Sequence, residues 1–240
     1  MDLVLAGAIV FVASVLHACT GFGFSVLATP FLLLVYPPGE AIQINIALSI
    51  LISVLLLPKL RADVDKPLLG RLMIGSIVGA PLGILIYRHA NPEHLRLAIG
   101  VLLLVFIAAL LRKLHMARSR RRDYLTGGVS GALTAGLGMP GPPLMVYFAG
   151  ARLEPSVLRS TTLVCFLVTY SLSLALQIGF ASTSREVWMA VLWLTPINVL
   201  GVVVGQYLFR RINAAAFMRL LYGLIGLTGA YLVIGALWPA

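Results

Sequence analysis

The chain is organised as long apolar runs separated by short polar or basic stretches. Uninterrupted runs cover residues 41–57, 68–87, 95–111, 157–180, 187–209 and 215–238. A helix needs about 17–25 such residues to cross a bilayer core, so each run predicts one membrane-spanning helix. Two further apolar regions are broken. Residues 3–18 lead into Thr20-Gly-Phe-Gly-Phe-Ser25 and then a short run, 26–36. Residues 125–137 lead into Gly138-Met-Pro-Gly-Pro-Pro143 and a shorter run, 144–149. Glycine loosens a helix and proline removes a backbone donor, so each region predicts two half-helices meeting at an unwound point.

The fold class expected is therefore all-α, a polytopic membrane helix bundle. Composition agrees: of 240 residues 60% are hydrophobic and 11% charged, and the mean hydropathy is +1.01. A soluble domain carries about 25% charged residues, and so few charges cannot coat a globule in water. The connecting loops leave no room for a soluble domain. The net charge of +10 does not point to nucleic acid, because the basic residues cluster between apolar runs as cytoplasmic loops do. Cys19 and Cys165 both lie in apolar segments and read as small core residues. The start of the chain offers no basic region ahead of its first apolar run, so no cleavable signal peptide is expected.

Two homologous halves are expected, each with one broken region and three full spans: residues 1–111 and 125–240, joined by a basic cytoplasmic linker at 112–124. Gly21-x-Gly23 matches Gly136-x-Gly138, and Gly79-x-x-x-Gly83 matches Gly201-x-x-x-Gly205. Tyr87-Arg88 matches Phe209-Arg210, Asn91 matches Asn213, and Arg96-x-x-x-Gly100 matches Arg219-x-x-x-Gly223, all in order. If each broken region enters and returns, nearly all basic residues fall on the side of the linker, leaving Arg88, Arg96 and Arg185 opposite. That arrangement obeys the positive-inside rule better than a single crossing, and it puts both termini outside. Re-entrant hairpins would make the duplication an inverted repeat and full crossings would make the halves parallel. The legs after each break, about 6–11 residues, are too short to span the core, so re-entrant hairpins and an inverted repeat are expected.

Interrupted segments at matching positions of two halves point to a transport site. Half-helix N-termini present backbone N–H groups and a partial positive charge to an anion. Gly21, Gly23, Gly136, Gly138 and Gly141 allow close approach, while Thr20, Ser25 and Thr29 add hydroxyls. Just after each break come Gln43 and Asn45 in one half and Arg159, Ser160, Thr161 and Thr162 in the other. Arg159 is the most pointed of these, since a charge inside the membrane is costly without a partner or ligand; its alternative is an anchor at a helix end. His17, beside the first break, is a candidate proton relay or else a packing residue. Asn198 and Gln177 read as interhelical hydrogen-bonding residues. No catalytic residues, metal site or cofactor is expected. Every Asp and Glu reads as loop or terminal, no metal-ligand cluster occurs, and a Ser25–His17 pair lacks a third orienting group.

The run Gly21-Phe-Gly-Phe-Ser-Val-Leu-Ala-Thr-Pro30, the segment Pro37-Pro-Gly-Glu-Ala41, the break Gly136-Leu-Gly-Met-Pro-Gly-Pro-Pro143 and Arg159-Ser-Thr-Thr162 together resemble the TauE/SafE family. Phe22 and Phe24 interrupt the first glycine cluster, which in that family has more consecutive glycines. The resemblance spans essentially the whole chain and implies a permease or exporter of a small, sulfur-containing anion such as sulfite or an organosulfonate. The expectation is a multi-pass secondary transporter of the inner (plasma) membrane, with substrate-binding residues Thr20, Gly21, Gly23, Ser25, Thr29, Asn45, Gly136, Gly138, Gly141, Arg159 and Thr161. Its expected partners are the small anion and the lipid bilayer, with no nucleic acid and with homo-oligomerisation open. An anion channel of the same architecture and a non-transporting membrane assembly factor are the alternatives.

Overall fold

The computed structural model describes residues 2–21, 23–60, 63–112, 118–151, 154–208 and 214–237, without the side chains of Asp2, Thr20, Lys59, Leu60, residues 149–151, Pro155, most of 214–224 and Leu237. Phe22, Lys113, Arg61, Arg152, Arg210, Arg211 and Trp238, and the side chains of Lys59 and Arg219, therefore lie outside the description. Among the described residues the structure is wholly helical: α1 Asp2–Thr20, α2 Phe24–Leu32, α3 Pro38–Leu60, α4 Lys66–His89, α5 Pro92–Leu111, α6 Arg120–Leu137, α7 Gly141–Ala151, α8 Pro155–Ala181, α9 Arg185–Leu208 and α10 Ala214–Leu237. Five of these, α3, α4, α5, α8 and α9, are long and apolar enough to cross a membrane. This is a polytopic helical membrane protein in which each half carries one broken pair followed by three long helices.

Local chemistry sets the boundaries. The Asp65 carboxylate caps α4 by accepting from Leu68 N–H at 2.9 Å, and the Asn91 side chain caps α5 by accepting from His94 N–H at 2.8 Å. Pro67 and Pro92 follow these caps, where a missing N–H costs nothing. The apolar pattern placed the start of the sixth helix at residue 125, yet α6 begins at Arg120. Ser119 caps it through Arg122 N–H, and Asp123 in its first turn is buried against Arg71 and Tyr147. An ion pair hides this carboxylate from a hydropathy reading, and it corrects the expectation that every Asp and Glu is a loop residue.

Helix direction follows from which residues meet. Leu72, Ser76 and Gly83 of α4 lie against Gly127, Gly131 and Gly136 of α6, so these helices run parallel. Phe11 and Val15 of α1 lie against Gly201 and Gly205 of α9, again parallel. Gly100 of α5 meets Gly229 of α10 and Ile107 meets Gly226, an antiparallel pair. Gln43 of α3 donates to the Ser182 carbonyl at the far end of α8, and Ser49 lies beside Tyr170, so α3 and α8 are antiparallel too. Exchange of the halves converts α4–α6 into α9–α1 and maps α3–α8 and α5–α10 onto themselves.

The glycines that the sequence pairs, Gly79/Gly83 and Gly201/Gly205, perform the same task in each half: they let a helix backbone lie on the first helix of the other half. A Cβ on Gly79 would overlap the Gly128 carbonyl. Lipid offers no hydrophobic drive between helices, so such close backbone contact carries the association. Gly100 is tightly packed, whereas a Cβ on Gly223 would meet nothing within 4 Å among the described residues.

Loops collect at two ends. Gly39 accepts from the Tyr87 hydroxyl, and residues 37–39, 87–95 and 178–182 surround one cleft of about 630 Å³. At the other end Asp65 meets Arg118 and Thr161, and Ser119 meets Tyr147. Ser119 precedes α6 and Tyr147 lies late in α7, so this broken pair begins and ends at one face. Likewise Leu33 and Leu34 after α2 lie with Arg96 and Gly235 at the opposite face, toward which α1 begins.

Candidate functional site

Both breaks are built on glycine in the left-handed region. Gly21 and Gly23 have φ +82° and +102°, and Gly138 has φ +69°; L side chains are strained there. At the second break the Gly138 N–H bonds to the Thr134 carbonyl, the αL form of helix end, and the Met139 N–H reaches the Leu133 carbonyl at 3.3 Å. At the first, the Gly21 N–H closes on the His17 carbonyl at 2.7 Å. Each chain then turns back into a short helix that starts in the protein interior. Gly141 at the start of α7 lies against Val26 in the first turn of α2, so the two half-helix N-termini converge.

Around the first break the Arg159 side chain lies directly against Gly21 and donates to the Ala18 carbonyl at 2.8 Å. The guanidinium thus meets the carbonyl end of α1, where a helix favours a cation. His17 is buried, and its Nδ1 accepts from the Phe24 N–H at 3.4 Å. That bond places its ring proton on Nε2, which has no partner among the described residues. Ser160 and Thr162, on either side of Thr161, are buried with unpartnered hydroxyls. Thr161 itself turns toward the linker face and accepts from the Asp65 N–H at 3.0 Å. Cys19 donates to the Gly205 carbonyl at 3.2 Å and ties the end of α1 to α9.

Around the second break two amides cap the end of α6. Asn45 donates to the Gly138 carbonyl at 2.8 Å and Gln177 to the Ala135 carbonyl at 2.9 Å. Both amide oxygens stay unpartnered. Gly136 packs on Gly83 of α4, which makes it a helix-packing residue more than a lining one. Between the breaks, Ser25 and Ser49 flank the Tyr170 hydroxyl, and Thr29 is fully buried with its hydroxyl free.

Of the residues singled out from sequence, His17, Gly21, Gly23 and Arg159 gather at one break, and Asn45 and Gly138 at the other. Ser25, Thr29 and Gly141 sit on the half-helices between them. The Thr20 side chain lies outside the described residues. Gln177 has the interhelical hydrogen-bonding role that its sequence position suggests, to the Ala135 carbonyl of α6, whereas Ser49, Ser173 and Tyr170 were not singled out. A signal existed: Asn45-Ser49-Ser53 on α3 and Thr169-Ser173-Gln177 on α8 are polar stripes at the i, i+4, i+8 spacing of one helix face, all buried. Asn198 does bridge helices, donating to the Leu48 carbonyl.

A membrane bundle with two broken helices meeting inside it has the architecture of a membrane transporter. The comparison with known families fixes which one. The model described as "Sulfite exporter TauE/SafE" matches residues 6–232, and this chain belongs to that family, whose members are transporters and not enzymes. A protein of Cupriavidus necator named "Probable sulfite/organosulfonate exporter TauE" is 23% identical over 187 residues, covering 75% of this chain and 73% of that protein. No solved structure matches the chain.

Proposed function

We propose that the protein is a secondary transporter of a small, sulfur-containing oxyanion, sulfite or an organosulfonate, in the inner membrane. The anion binds between the two breaks, where the N-termini of α2 and α7 supply backbone N–H donors and Arg159 supplies fixed charge. The observation that carries this reading is the convergence of those half-helix starts, Val26 against Gly141, inside a buried polar region. A positive dipole end stabilises negative charge, and two of them meeting would repel one another without an anion. The halves act as an inverted repeat with re-entrant hairpins, a reading supported by the helix directions above, and rock about the anion. Ser160, Thr162 and Thr29 hydroxyls provide further donors.

The test is thermal stabilisation of the purified protein by sulfite, thiosulfate, sulfate, sulfoacetate and taurine against a carboxylate control. A ligand that binds only the folded state raises Tm with occupancy. A selective rise with one sulfur anion, lost in Arg159→Ala, is expected. No rise with any of them at millimolar concentration overturns the reading.

A further inference from the structure

Both breaks turn on a left-handed glycine, but only the first carries a charged side chain. At the first, the carbonyl end of α1 faces Arg159, the fifth residue of α8. At the second, the carbonyl end of α6 faces the same level of α3, where Ile42 is the fifth residue and packs on Gly138. A fixed guanidinium in one half is thus answered by an isoleucine in the other. The negative end of the α6 dipole has no cation among the described side chains around it.

What stands there instead is a set of neutral oxygens. Asn45 and Gln177 each direct the NH2 group at a carbonyl, Gly138 and Ala135 respectively. Reversing either amide would set oxygen against oxygen, so the orientation is fixed. The oxygens that remain, Asn45 Oδ1 and Gln177 Oε1, are buried acceptors with no donor. The antiparallel register set by Gln43–Ser182 and Ser49–Tyr170 brings Asn45 and Gln177 to one level of the α3–α8 interface. Ser173, one turn before Gln177 on the same face, is buried with an unpartnered hydroxyl, and Ser49 lies one turn beyond Asn45. Buried acceptors without donors demand an occupant, and the helix end beside them favours a positive one.

We propose that this cluster, Asn45, Gln177, Ser173 and Ser49 at the carbonyl end of α6, binds a monovalent metal cation that takes the place Arg159 holds at the other break. The ligands are neutral oxygens, so a proton has no base to occupy, and a divalent ion would have no carboxylate to balance it. Oxygen ligands suit a hard cation. The site deepens the transporter reading above and rests on it for its role: a cation bound here compensates the anion held between the half-helices and couples their movements. Its existence as a site is testable without any anion.

The protein, purified in choline chloride, is titrated with sodium chloride at constant ionic strength while Tm is followed, with sulfite added to choline buffer as a separate arm. A saturable rise with sodium over choline is expected. Gln177→Leu should weaken the midpoint at least ten-fold; Ser173→Ala and Ser49→Ala, which barely change packing, should weaken it measurably and keep the result readable if the leucine variant does not fold. Absence of a sodium-specific rise in the wild type, or unchanged midpoints in both serine variants, overturns the proposal. A sulfite response with no sodium response removes the cation site and leaves the transporter reading. A sodium response with no anion response supports the site and removes that reading.

Discussion

Arg159 occupies the space beside Gly21 that any side chain on that residue would need. Two penalties therefore meet at Gly21: a φ of +82° and a collision with the Arg159 stem. Gly21→Ala is expected to destabilise by about 1–3 kcal/mol and to displace the guanidinium from the Ala18 carbonyl. In an Arg159→Ala background the collision disappears while the backbone strain remains. The same substitution should then cost less, by about 0.5 kcal/mol or more, a coupling that a double-mutant cycle on thermostability reads directly. Strict additivity would show that the two residues do not touch.

Helix packing separates the glycines sharply. Gly79 lies on the backbone of Gly128, and a valine there would force α4 and α6 apart. Gly79→Val is expected to exceed the ~1–3 kcal/mol of ordinary overpacking and to abolish a monodisperse product in detergent. Gly223 sits mid-helix with nothing within 4 Å among the described residues, so Gly223→Ala should be neutral or stabilise by about 0.5–1 kcal/mol. Melting curves of the two variants side by side decide the point.

These contrasts show what the sequence could carry. Run length and the two glycine breaks are local properties, and they located the helices. Gly79 and Gly83 stand out in the sequence only as a match to Gly201 and Gly205; that they seat α4 on α6 depends on a partner far along the chain. Asp123 was read as a loop residue because its cover, Arg71 and Tyr147, comes from elements 52 and 24 residues away. Arg159 and Asn45 are legible as candidates because polar groups stand out in apolar runs. Thr161 could not be told from Thr162, since which of two neighbours faces the interior depends on helix rotation. Gln177 is legible as an interhelical hydrogen-bonding residue, but the carbonyl it caps, 42 residues earlier, is not.

Asp123 is the anchor of the linker-side end. It accepts from Arg71 Nε at 2.7 Å and from the Tyr147 hydroxyl, joining α4, α6 and α7. Its side chain is 1% exposed and that of Arg71 is 19% exposed. Removing one partner of a buried pair leaves the other charge uncompensated, so Asp123→Ala should cost about 3–5 kcal/mol. Arg71→Ala combined with it should recover part of that loss. If the double variant is as unstable as the sum of the singles, the pair is not coupled.

The Asp65 carboxyl gives the protein a pH signature. Partial burial pushes its pKa up, but the Leu68 N–H and the Arg118 guanidinium together hold it below the ordinary carboxylate value. A carboxyl lowered by folding contributes stability above its unfolded pKa and loses it as pH falls through the folded one. Melting temperature should therefore decline as the buffer is taken from about pH 5 downward, within the ~1 kcal/mol of a partly exposed pair. Asp65→Asn keeps a capping oxygen for Leu68 and should flatten that part of the profile. An unchanged decline would assign it to other carboxyls.

Charge and loop position make the last prediction, which concerns orientation. Described basic residues at the end holding Asp65 and Ser119 include Lys66, Arg71, Arg118, Arg120, Arg121 and Arg122, whereas the opposite end has Arg88, Arg96 and Arg185. The positive-inside rule puts the first group in the cytoplasm. Both native cysteines are buried, so single introduced cysteines report without background. Glu93→Cys and Glu186→Cys, at exposed positions opposite the linker, should react with a membrane-impermeant maleimide in intact cells. Arg120→Cys should react only after permeabilisation. Because Glu93 belongs to the first half and Glu186 to the second, labelling of both from outside would also support halves inserted in opposite senses: α4 ends at the face from which its counterpart α9 begins. Labelling of Arg120→Cys alone in intact cells would invert the whole assignment.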